Sequence, residues 1–102
     1  MAKNTQLLLQ QLSLQPPRSE QLLWHCPLAQ EQVLALVPML LQGLDCHACA
    51  PEQGADRLYW SVEFEGVALS LHFEGVCDSL WLQGPDPEIQ FLRTLAQALT
   101  PC

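Results

Sequence analysis

A run of strict alternation from Leu58 to Leu82 constrains the fold more than any other feature of the chain. Leu58, Trp60, Val62 and Phe64 alternate with Tyr59, Ser61, Glu63 and Glu65. After Glu65-Gly66 the pattern restarts, with Val67, Leu69, Leu71 and Phe73 against Ala68, Ser70, His72 and Glu74. A third segment, after Glu74-Gly75, sets Leu80 and Leu82 against Ser79, Trp81 and Gln83. Successive side chains of a strand point to opposite faces, so the run predicts an antiparallel sheet with one buried face. With Glu65-Gly66 as a two-residue hairpin loop, Phe64 faces Val67, Val62 faces Leu69 and Trp60 faces Leu71. All three pairs are apolar and lie on one side, so the register agrees with itself.

The remaining segments supply a second layer. Val33, Leu36, Val37, Leu40 and Leu41 fall at helical spacing, with Pro27 suited to the first turn and Gly43 to the stop. Pro38 removes the hydrogen bond to the Leu34 carbonyl, so a kink or break is expected there. Asp86 is placed as the cap of a second helix, with Pro87 at its first position and Ile89, Leu92, Ala96 and Leu99 as its stripe. Gln21 to His25 reads as a short strand, as does the segment of Leu44, Cys46 and Ala48. Residues 50–56 read as a loop. In the first segment Leu8 and Leu12 are four apart, as on a helix, and Leu12 and Leu14 two apart, as on a strand; strand is preferred. Pro16-Pro17 then forces an extended or turning connection. The expectation is one α+β domain over residues 1–102, with residues 1–19 irregular or partly ordered. Its architecture is a two-layer sandwich, a mostly antiparallel sheet of about four or five strands with two helices on one face.

Charge excludes some functions. Eleven acids against 4 bases give a net charge of -7, and Lys3, Arg18, Arg57 and Arg93 are scattered. No basic cluster is available to neutralise phosphates or anionic lipid, which argues against nucleic acid and membrane partners. No apolar stretch approaches the length of a membrane span or a signal core. Five cysteines, odd in number and without a secreted-domain pattern, read as reduced thiols in a cytoplasm.

The outward row of the sheet carries Tyr59, Ser61 and Glu63, then Ala68, Ser70 and His72, then Cys77, Ser79 and Trp81. Its two aromatics, small residues and few charges suit a docking face, since Tyr and Trp bury area while keeping a polar handle. The competing reading is a solvated sheet face. Tyr59, Ser61, His72 and Trp81 are the interaction residues this predicts.

Cys46-His47-Ala48-Cys49 contains a C-x2-C spacing, with His25-Cys26 upstream. Zinc needs four nitrogen or sulfur ligands in a tetrahedron. Cys26, Cys46, Cys49 and His25 or His47 supply them if the two short strands are parallel neighbours. The objection is that residues three apart on a strand point to opposite faces. A thiol-redox reading lacks the helix N-terminus that lowers a thiol pKa. A tight turn at Glu74-Gly75 would make His72 and Cys77 cross-strand neighbours, yet no group orients the histidine for nucleophilic chemistry. No phosphate loop, dinucleotide fingerprint or hydrolase motif occurs, and no catalytic residue or cofactor is assigned.

The stretch LYWSVEFEGVALSLHFEGVCDSLWL followed by GPDPEIQFL, with its two Phe-Glu-Gly repeats, resembles small uncharacterised proteins of similar length found in gammaproteobacteria. That resemblance implies a bacterial cytoplasmic protein and no activity. A looser similarity is to the small acidic secretion chaperones, which pair a curved sheet with helices and act as dimers. The functional expectation is a non-catalytic module that binds a protein or itself through the open face. The alternative is a zinc-binding or thiol-active protein using Cys26, Cys46, His47 and Cys49.

Overall fold

The computed structural model describes residues 7–101. Seven strands form one sheet: β1 (Ser13–Leu14), β2 (Gln21–His25), β3 (His47–Ala48), β4 (Glu52–Gln53), β5 (Arg57–Phe64), β6 (Val67–Glu74) and β7 (Ser79–Gln83). Two long helices, α1 (Gln30–Gly43) and α2 (Asp86–Leu99), join it. The strand order is β1-β2-β7-β6-β5-β3, with β4 also on β5, and every pairing is antiparallel.

The central hairpin has the register that alternation predicts. Phe64 pairs with Val67, Val62 with Leu69 and Trp60 with Leu71. Glu65 at φ 50° and Gly66 at φ 81° both lie in the left-handed region, the twist a two-residue hairpin loop needs. Gly66 adopts it freely, whereas Glu65 does so against its Cβ.

Leu58, Trp60, Val62, Phe64, Leu69, Leu71, Phe73, Leu80 and Leu82 are all buried, in one cluster with Val33, Leu36, Val37 and Leu40 of α1 and Ile89, Leu92 and Ala96 of α2. Each such large side chain contributes roughly 1.5–3 kcal/mol. Trp24, on the same face of β2, is buried and donates its indole N–H to Thr100 Oγ1 at 2.9 Å.

Several expectations need correction. The sheet has seven strands rather than four or five, because two-residue strands carry almost no alternation to read. β4 occupies part of the stretch expected to be a loop. The strand expected across Leu44, Cys46 and Ala48 shrinks to His47–Ala48, because Leu44 still closes the helix, its N–H bonded to Leu40 O. Residues 7–9 are helical, and Leu9, Leu12 and Leu14 of the supposedly irregular segment are buried in the core. Residues 1–6 of that segment lie outside the described residues. α1 starts at Gln30, not in a turn containing Pro27; Gln32 Oε1 accepts the Ala29 N–H at 2.9 Å and fixes the start there. α1 also runs unbroken through Pro38, an exposed position in the helix interior. Asp86 does not cap its own helix. Its Oδ1 accepts the Glu20 N–H at 3.0 Å and a Gln90 N–H at 3.1 Å, which together hold its carboxyl below the usual carboxylate range.

Candidate functional site

The face of the sheet opposite the buried cluster is built from five strands in register. Leu23 of β2 pairs with Trp81 of β7, Trp81 with His72 of β6, His72 with Tyr59 of β5, and Tyr59 with Glu52 of β4. Alternation sends all of them outward, so Leu23, Trp81, His72 and Tyr59 form one row across the sheet. The His72 and Trp81 rings stack, centroids 4.9 Å apart and planes 9° from parallel. Tyr59 meets His72 edge to face at 5.1 Å. Each of the four is half-buried by its neighbours.

Electrostatics follow from this packing. Burial between two aromatic rings lowers the His72 pKa, and the nearby Glu74 carboxylate opposes the shift only in part. His72 Nε2 shares a hydrogen bond with Ser70 Oγ at 2.9 Å, which fixes the ring plane. Flanking the row, Ser61 faces Ser70, and Arg57 meets Glu74 across the strands at 3.5 Å. The surface is therefore an apolar strip with a polar margin.

The interaction residues read from sequence do come together. Tyr59, His72 and Trp81 are contiguous, and Ser61 lies beside them, exposed on the same face. Leu23 was missed. Its signal is present, because Leu22 and Trp24 turn inward and so force Leu23 out, but only the pairing of β2 with β7 puts it beside Trp81.

The proposed metal ligands are not brought together. β2 and β3 are not parallel neighbours; β7, β6 and β5 lie between them. That separation is about 19 Å at ordinary strand spacing. Cys26 follows β2, with its N–H on Asp78 O at 2.7 Å, while Cys46, His47 and Cys49 lie at the far edge, and His25 is exposed beside Ser79. No group of three or more His, Cys, Asp or Glu fit to hold a metal occurs among the described residues. Burial pushes the Cys26 thiol up to about 12 and Cys46 to about 11, where neither is a thiolate near neutral pH.

His72 and Cys77 are not cross-strand neighbours either. A single turn of 3-10 helix over Gly75–Cys77 and Asp78 at φ 50° lengthen the second connection, so that Trp81, not Cys77, stands opposite His72. No helix among the described residues is long and apolar enough to cross a membrane.

A family described as protein of unknown function (DUF3630) matches residues 9–98. Neither the curated proteins nor the solved structures gave a match.

Proposed function

This chain belongs to the DUF3630 family of unknown function, and we propose that it is a non-catalytic protein-binding module of the cytoplasm that uses the open face of its sheet. The observation that carries this reading is the contiguous row of Leu23, Trp81, His72 and Tyr59 on a face that neither long helix covers. Large, pre-packed aromatic side chains lose little rotamer freedom on binding, which makes such a row an economical contact surface. The net charge of -7 works against a second copy at this face and favours a partner with a basic rim.

Sedimentation of the wild type and of Trp81→Glu tests the reading. The wild type alone sediments as a monomer if the partner is another protein. A dimer split by Trp81→Glu would make a second copy the occupant and contradict the charge argument. A dimer indifferent to Trp81→Glu would show that the wrong face has been chosen.

A further inference from the structure

The two ends of the sheet are finished differently. At one end the β1 edge is tied down, Leu14 donating its N–H to Pro101 O at 2.7 Å. At the other, β3 and β4 lie end to end along β5 as one interrupted edge strand. His47, Ala48, Cys49 and Ala50 are all exposed there. Cys49 donates its N–H to Ser61 O at 3.1 Å, so by the antiparallel pattern the N–H and C=O of Ala48 turn away from β5, toward the open edge. After Cys49 the pairing shifts, because Ala50 and Pro51 both stand opposite Trp60, and this bulge ends the available ladder.

Grooves flank this edge on both sides. On the helix side a cavity of about 490 Å³ runs between Leu34, Val37 and Leu41 of α1 and the strand, with Trp60 in its lining. On the open-face side a second, of about 410 Å³, lies over Ser61, Glu63 and Ala68. Ala48 and Cys49 line both. A strand added at Ala48 would send alternate side chains into alternate grooves, as in recognition by strand addition.

We infer that this edge is a docking site for a short extended segment of a basic partner protein, with an apolar side chain in the helix-side groove and a cationic one beside Glu63. Asp45 lines the first groove and Glu63 the second, and among the described residues no Lys or Arg lines either. A second copy fits poorly, because pairing two such edges gathers the same carboxylates, and like charges on paired strands repel. The site adjoins the open face at Ser61 but uses none of Leu23, Trp81, His72 and Tyr59, and does not depend on that row.

The test uses a short fluorescent peptide alternating valine and arginine, with its valine–glutamate counterpart, titrated into the full chain. The arginine peptide binds and the glutamate peptide does not. Ala48→Pro removes only an outward N–H, a substitution edge strands tolerate, and weakens binding by about tenfold with melting unchanged. Glu63→Lys, at an exposed position, weakens it as well and serves if the proline variant fails to fold. Trp81→Glu leaves it unaltered. Absence of binding by the arginine peptide, equal binding of both peptides, or loss with Trp81→Glu but with neither Ala48→Pro nor Glu63→Lys would overturn the assignment.

Discussion

At the scale of single residues, His72 shows how packing sets chemistry. Its pKa is lowered because the ring is wedged between Tyr59 and Trp81. A histidine whose folded pKa lies below its unfolded value binds protons better when unfolded. Its contribution to stability is therefore complete above the unfolded pKa, near 6.5, and declines as pH falls from there toward the lowered folded value. Urea midpoints at successive pH values should drop through this window, and His72→Gln should flatten that part of the curve. An unaltered slope in the variant would show that His72 does not carry it. This neighbourhood was half legible in the sequence. Alternation put Tyr59 and His72 on one face and their pairing followed from the Glu65-Gly66 loop, whereas Trp81 reached His72 through a longer loop whose length no local pattern announced.

At the scale of elements, α1 holds a contradiction that the structure resolves one way. Proline in a helix interior removes a backbone hydrogen bond and crowds the preceding turn, yet α1 continues through Pro38. Val33, Leu36 and Val37 before it and Leu40 and Leu41 after it are all buried on one stripe, so tertiary packing outweighs the local defect. Pro38→Ala restores the donor at an exposed site and should stabilise the protein by about 1–2 kcal/mol, less than the full propensity difference because proline also restricts the unfolded chain. Denaturant midpoints check this; no gain would mean that the helix had already accommodated the ring. The short edge strands were only partly legible for a related reason. Alternation through Leu44, Cys46 and Ala48 announced a strand at β3 with bounds too wide, whereas β4 owes its existence to β5 rather than to its own sequence, and Glu52 and Gln53 are both exposed, without any inward signature.

At the scale of the whole molecule, residues 100 and 101 tie down β1 and β2. The Trp24 indole reaches Thr100 Oγ1, and Leu14 reaches the Pro101 carbonyl. Thr100→Val would keep the side-chain volume and leave a buried indole N–H unpaired, at a cost of about 1–3 kcal/mol by thermal or urea unfolding. A neutral result would mean that the indole finds another acceptor. Long-range pairings of this kind, Leu14 with residue 101 and β2 with β7, escaped the sequence reading because hydrophobic pattern fixes which side a residue faces, not which distant strand it lies beside. The same gap left open a parallel pairing of β2 and β3, on which the approach of Cys26 to Cys49 depended and which the strand order rules out.

The proposed role of the outward row is to meet another protein. It is tested most directly by placing a photo-crosslinking amino acid at position 81, at position 59, and at exposed Thr94 on α2 as a control, and irradiating the protein in its native host. Positions 81 and 59 should capture the same protein while position 94 does not. No adduct at 81 and 59, or the same adduct at all three positions, would contradict the claim.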